Sequence, residues 1–288
     1  MRTGWKQGAL GLALVLPPLC VLVFLIVIPA ITAVVTSLTA RAADASAFGR
    51  YGTFANYAAV LGNPYLRRDI SYTVVVTLVA VAVTFALSYP LALYLRFTRT
   101  RRAAVLGVLF MVPLFVPVVI ASYAMKNFWT DHGFVSTVLW RLGDHHPFPK
   151  LMLNRTGIVL TQVWASIPFA VLILGSGLQA IDDALIDSAR DVGAGALRTF
   201  FSVILPLNMT PTMITLTLLF IGIFGSYTIP RLVGGSAPQM LGVTMTVYLQ
   251  QYLQPAESVT MAVIAFVIAS VVGVAYIASV SRRERGTG

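Results

Sequence analysis

Charge is scarce in this chain: Asp, Glu, Lys and Arg make up 10% of its 288 residues, against about 25% in an ordinary soluble domain. Hydrophobic residues reach 58%, more than a soluble fold of this length hides from water. A soluble enzyme and a disordered segment are excluded on that ground, which leaves the bilayer as solvent. Cysteine is nearly absent. Cys20 stands alone, so no internal disulfide forms and a secreted disulfide scaffold is excluded. Within an apolar run it reads as a small packing or lipid-facing residue. Lysine is limited to Lys6, Lys126 and Lys150. None follows Gly or precedes Ser or Thr, so the phosphate-binding loop GxxxxGK[ST] is missing, and with it that route to ATP hydrolysis. HExxH, CxxC and GxSxG are missing too. His145 and His146 adjoin Asp144, but sequence neighbours rarely converge on a metal without further ligands. They read as solvated loop. No catalytic residue, metal site or cofactor bound by the chain itself is expected.

What the chain has in quantity is long apolar sequence. A spanning helix needs about 20 apolar residues, and six charge-free intervals satisfy this. They place helices near 9–36, 70–95, 104–125, 157–179, 208–229 and 259–280. The expected fold is an all-α membrane protein, one domain of six transmembrane helices over 1–288. A seventh charge-free interval, 232–256, holds four Gln, three Gly and two Pro. It is too polar for lipid and reads as a short outer-surface helix over 240–253. The basic start at Met1 to Lys6 and the small residues Ser37 to Ala40 imitate a signal peptide. The apolar run between them is too long for one, since an h-region has about 7–15 residues, and is expected to persist as the first helix.

Orientation follows from arginine density in the short connections. With both termini cytoplasmic, Arg2, Lys6, Arg96, Arg99, Arg101, Arg102, Arg190, Arg198, Arg282, Arg283 and Arg285 all lie inside. The remaining nine Lys and Arg spread over three longer outer connections. The 96–102 cluster needs no partner beyond the inner leaflet, and no nucleic-acid partner is expected. All ten carboxylates fall outside the six expected spans. Ion-coupled carriers place acids within the membrane, so a stand-alone secondary carrier is the weaker reading and energy comes from elsewhere.

One cytoplasmic stretch, 181–206, is neither spanning nor featureless. Asp182 or Asp183 is a good N-cap, and early acids suit the positive end of a helix dipole. Ile181, Leu185, Ala189 and Val192 recur at helical spacing, and Gly193 offers a C-terminal stop in the left-handed conformation. Leu197, Phe200, Phe201 and Ile204 give a second apolar helix, and Pro206 fits the first turn of the next one. Pairs of this kind usually lie on lipid. The four Asp and two Arg of this stretch suit an anionic bilayer poorly, so its apolar edge reads as a docking site for another protein.

Asp187-Ser188-Ala189, then Gly193, then Ile204-Leu205-Pro206 resembles the EAA loop of ABC importer permeases, with Asp for Glu and Ser for Ala. Asn56-Tyr57-Ala58-Ala59, Pro64-Tyr65-Leu66-Arg67-Arg68, Tyr89-Pro90-Leu91-Ala92, Tyr123-Ala124 and Ile229-Pro230-Arg231-Leu232-Val233-Gly234-Gly235 are similar to the spermidine/putrescine permease group. Permeases for ferric iron, aminoethylphosphonate and opines share much of this pattern. The resemblance implies a type I importer permease (MetI-like) fold in a bacterial inner membrane. It also implies a second permease chain, identical or related, an extracytoplasmic substrate-binding protein, and two ATPase subunits that hold the ATP and Mg2+. Asp187 would start the coupling helix and make polar contact, Ala189 would allow close approach and Gly193 would form the turn, with Ser188 completing the motif that couples to the ATPase. Leu205 and Pro206 would fix the start of the fifth span, with Ile204 before them in the coupling motif. Pro113, Pro117 and Pro168 invite kinks. Tyr89, Tyr123, Trp164 and Tyr227 sit in or beside spans, where aromatic faces attract amine cations; they are the candidate substrate path.

Overall fold

The computed structural model describes residues 3–39, 52–144 and 146–286. Of the residues named above, Met1, Arg2, Ala40 and His145 lie outside that range. No β-strand occurs among the described residues. Four helices are long and apolar enough to cross a membrane, or six crossings when each of two bent pairs counts as one. The chain forms two compact units: 1–67 with 245–266, and 68–244 with 267–288.

The first unit opens with α1 (Thr3–Leu22), a π-helical turn (Val23–Val27) and α2 (Ile28–Ser37) in direct succession. Proline explains the widened turn. Pro29 has no N–H for the carbonyl four residues back, and Ile28 donates instead to Val23, five residues back. The span Ala13–Ser37 packs none of its apolar side chains inside the unit, an arrangement that water would penalise and lipid accepts. Its far end is tied down by α3 (Ala55–Gly62). The fully buried Asn56 donates through Nδ2 to the carbonyls of Ser37 (3.0 Å) and Thr39 (2.8 Å), and Tyr57 Oη lies 2.8 Å from Ser37 Oγ. One asparagine thereby satisfies carbonyls that a helix end leaves open.

The second unit is built on α4 (Pro64–Phe97) and α8 (Arg155–Gln179). Between them come α5 (Arg101–Leu109), a 3-10 turn (Val112–Phe115), α6 (Val118–Trp129) and α7 (Phe134–Arg141). After them come α9 (Asp183–Asp191), α10 (Ala196–Thr199), a π-helical turn (Phe200–Ile204), α11 (Leu205–Leu207), α12 (Met209–Phe224) and α13 (Thr228–Val233). α8 packs on α6, α12 and α13. One core cluster gathers Val76, Ile158, Ile229, Val233 and Met240 near the start of α8. A second gathers Tyr89, Val171, Leu174, Leu178, Ile186 and Ile204 near its end.

Several sequence expectations change here. α4 starts at Pro64 rather than near 70, because Asn63 Oδ1 accepts the Tyr65 N–H at 3.0 Å and Pro suits the first helical position. Asp69 is therefore inside a helix, as is Glu257 in α15 (Pro255–Gly286); carboxylates are not confined to connections. Asp69 has a structural task. Its Oδ1 accepts the Gln239 N–H at 3.0 Å and its Oδ2 the Thr244 hydroxyl at 2.7 Å, while Thr73 Oγ1 accepts the Leu241 N–H at 2.8 Å. The carboxylate thus holds the start of α14 (Leu241–Gln250), where helix N–H groups are free to bond an anion.

The single helix expected at 104–125 is instead two segments, Arg101–Phe115 and Val118–Arg141, bent by 108°. Pro113 and Pro117 remove the donors a continuous helix needs there. The helix expected at 208–229 ends at Phe224, and residue 229 belongs to α13. By contrast α8 continues through Pro168 without a break.

Candidate functional site

Within the second unit the segment 181–207 is anchored by the buried side chains of Ile181, Ile186 and Ile204 and by one arginine from outside it. Asp182 caps α9, its Oδ1 accepting the Ala184 N–H at 3.0 Å. Ile186, 3% exposed, points into the core with Ile181, Leu178 and Ile204. Of the apolar residues at helical spacing, Ile181 is buried, while Leu185 is half exposed and Val192 is 82% exposed, so the latter two form the outer apolar edge. Leu197 and Phe201 extend that edge, at 76% and 61% exposure.

Arg96, at the end of α4, supplies the second attachment. Its Nε donates to the Leu178 carbonyl (3.1 Å) and its Nη2 to the Ile181 carbonyl (3.2 Å), with Asp183 Oδ1 at 2.6 Å from Nη2. A guanidinium at the C-terminal end of α8 meets both the open carbonyls and the negative dipole end. The sequence reading gave Arg96 only a topological role. Its partners lie 82 to 87 residues away in the chain, which no local pattern reveals.

The motif residues fall as follows. Asp187 does not start the helix; α9 is already capped by Asp182, and Asp187 pairs with Arg190 one turn on at 3.4 Å. Both are exposed, so that pair contributes little. Ser188 donates to the Ala184 carbonyl at 2.7 Å, and Ala189 accepts the Ala194 N–H at 3.0 Å. Gly193 has φ +81°, the left-handed stop that a glycine takes at least cost. Ile204 is buried, while Leu205 packs on the same core and Pro206 is exposed. Pro206 stands in the first turn of the short α11, not of the spanning α12; α11 closes a segment, Ala196–Leu207, that meets α12 at 73°. The break follows from Pro211, which offers no N–H to the Leu207 carbonyl and whose ring opposes it. Leu205 donates to Phe200, five residues back, the same π-turn-before-proline pattern as at Pro29.

The four aromatic candidates are not alike. Tyr89 is buried at 4% exposure, edge-on to Phe85 and Phe200, with its hydroxyl accepting from Asn208 Nδ2 at 3.2 Å. Its surroundings make it a packing residue rather than part of a path. It also lines an apolar groove of about 670 Å³ with Phe97, Ile186, Leu197 and Phe201, from which the other three candidates are absent. Tyr123 and Tyr227 are exposed and Trp164 is half-buried. Sequence reasoning missed Gln162, buried on α8 at 4% exposure, and the buried row Thr73, Thr77, Thr84 and Ser88 on α4. Among the described residues no group of three or more His, Cys, Asp or Glu is placed to hold a metal.

Comparison with known proteins places this geometry. The family described as "Binding-protein-dependent transport system inner membrane component" matches residues 88–286. The spermidine/putrescine transport system permease protein PotB of Salmonella typhimurium (strain SL1344) is 27% identical over 190 residues, 66% of this chain and 66% of its own length. The sulfoquinovosyl glycerol transport system permease protein SmoG of Agrobacterium fabrum is 26% identical over 238 residues, covering 80% of this chain and 77% of its own. Among solved structures, a bacterial alginate ABC transporter in complex with an alginate pentasaccharide-bound periplasmic protein superposes with a TM-score of 0.78 at 16% identity, covering 94% of this chain and 93% of that one. At that identity the likeness establishes the fold.

Proposed function

We propose that this chain, which belongs to the family of binding-protein-dependent transport system inner membrane components, is the membrane-spanning permease subunit of an ATP-driven importer. The observation that carries the reading is the capped helix α9 with its left-handed glycine stop and an unburied apolar edge at Leu185, Val192 and Leu197. An edge of that kind suits docking into a groove of a partner. The partner is an ATPase subunit that carries ATP and Mg2+; this chain contributes no catalytic group. A second permease chain and an extracytoplasmic binding protein complete the assembly. Closure of the ATPases would move α9 and carry the attached helices between inward-open and outward-open states.

Topology follows from the arginine densities, with both termini and 181–206 cytoplasmic. In a chain whose Cys20 is replaced by Ser, Ser136→Cys should react with an impermeant maleimide from outside and Ser188→Cys only after permeabilisation. Outside labelling at Ser188→Cys would overturn the orientation and the docking argument with it.

The cargo is a small organic cation of the polyamine class. Support comes from the similarity to the spermidine/putrescine permease PotB and from Tyr123, Trp164 and Tyr227 as aromatic surfaces for amine cations. The aminoethylphosphonate, opine and ferric-iron readings remain as alternatives from the sequence pattern. Calorimetry of the cognate binding protein against spermidine, putrescine, aminoethylphosphonate and ferric iron discriminates among them. Heat on polyamine titration is expected; tight binding of an anion or iron without a polyamine response would remove the polyamine assignment and leave the permease reading standing.

A further inference from the structure

We infer that Asn208 is the positioning residue through which motion of the docking segment reaches α12, an inference that rests on the coupling role proposed above. Asn208 occupies the 73° break between Ala196–Leu207 and α12 and is fully buried. Four elements meet in it. Its N–H donates to Ile204 at 2.9 Å, and its carbonyl accepts the Thr212 N–H at 3.0 Å and the Thr212 hydroxyl at 2.8 Å. Its Nδ2 donates to Tyr89 Oη on α4 at 3.2 Å and to the Leu174 carbonyl on α8 at 3.4 Å. Its Oδ1 has no hydrogen-bond donor and rests against Gly177 of α8, where a Cβ would lie 2.0 Å from Oδ1 and 2.3 Å from the Pro211 ring. A buried amide with an unpartnered oxygen is a poor choice for packing alone, since an apolar side chain of similar volume would avoid the desolvation penalty.

Tyr89 makes the joint responsive. Its ring stands edge-on to Phe200, with centroids 5.5 Å apart, and its hydroxyl holds Asn208. One side chain therefore touches both ends of the stretch from the π-helical turn to the break. A shift of that turn against α4 strains the Tyr89–Asn208 bond, because a close-packed interior passes displacement on rather than absorbing it. The bend at Asn208 then sets the direction in which α12 is driven.

The test uses the assembled transporter with Cys20→Ser and a reporter, Ile221→Cys, on the exposed side of α12. Maleimide reactivity at the reporter is compared without nucleotide and after trapping with ATP and vanadate, so no transported substrate is needed. The parent should change its labelling rate about five- to tenfold on trapping, which at about 1.4 kcal/mol per factor of ten is a coupling of about 1–1.4 kcal/mol. Asn208→Leu and Gly177→Ala should abolish that change while ATPase retention and basal hydrolysis persist. Tyr89→Phe, which deletes one oxygen and keeps the ring, should reduce it, and combining it with Asn208→Leu should do no more than Asn208→Leu alone. An unchanged response in Asn208→Leu, additive effects in the double variant, or a parent that does not respond would each overturn the inference. So would loss of ATPase and response together, which would make Asn208 merely structural. Failure of the parent chain to retain any ATPase would instead defeat the permease reading.

Discussion

Gly193→Val should abolish ATPase retention by the purified assembly while the spanning helices still insert. Gly193 sits at φ +81°, a region in which a side chain costs on the order of 1–3 kcal/mol and a β-branched one is a clear outlier. A Cβ at this position would meet nothing within 4 Å, so the cost comes from the backbone and not from collision. The chain can relieve it by unwinding the stop after α9, which moves Val192 and Leu197, the two most exposed members of the apolar edge. Each 1.4 kcal/mol lost from a binding equilibrium is about tenfold in affinity, so a strain of this size removes a partner held at modest affinity. Gly193→Asn is the control, because Asn tolerates the left-handed conformation, and it should retain the ATPase. Equal loss in both variants would mean that the site rejects any side chain, not that the turn requires the conformation.

Arg96→Ala should be the most destabilising single change at the docking segment outside its own sequence. The side chain is 17% exposed and donates to the carbonyl of Leu178 in the last turn of α8 and to that of Ile181 just beyond it. Hydrogen bonds from a charged donor contribute about 1.5–3 kcal/mol, and carbonyls left open in a partly buried site add to the loss. The Asp183 partner is 66% exposed, and its ion pair is screened by solvent. Arg96→Ala is therefore expected to cost about 2–3 kcal/mol and Asp183→Ala less than about 1 kcal/mol, read from denaturation of the detergent-solubilised protein. Arg96→Lys should recover only part, since an ammonium lacks the planar fork that reaches two carbonyls and a carboxylate together. Equal costs for Arg96→Ala and Asp183→Ala would place the energy in the ion pair instead.

The parts legible in the sequence are those fixed by neighbours along the chain. The cap at Asp182, the stop at Gly193 and the apolar lengths of the spans are local chemistry. So are the helix breaks, in the sense that Pro113, Pro117 and Pro211 were visible, though their consequence depended on which helix each interrupted: Pro168 leaves α8 unbroken and Pro211 ends a segment. The inward face of α9 was not legible. Leu185 and Ile186 are adjacent and equally apolar, and only the position of Tyr89 and Ile204 decides which is buried. Arg96, Asn208 and Asp69 were hidden for the same reason, since each acts on atoms brought near by folding. The missing N–H of Pro29 and Pro206 was visible, but not that it would widen the turn into a π-helix, since Pro90 and Pro168 stand inside continuous α-helices.

The most direct measurement of the central claim is transport into proteoliposomes that contain this chain, its partner permease, the ATPase subunits and the binding protein. Uptake of labelled spermidine should require ATP and all components, should stop when the ATPase is omitted, and should fail with Gly193→Val despite normal insertion. Uptake by the permease chains alone down a spermidine gradient, with no response to ATP, would contradict the account and make this protein a carrier.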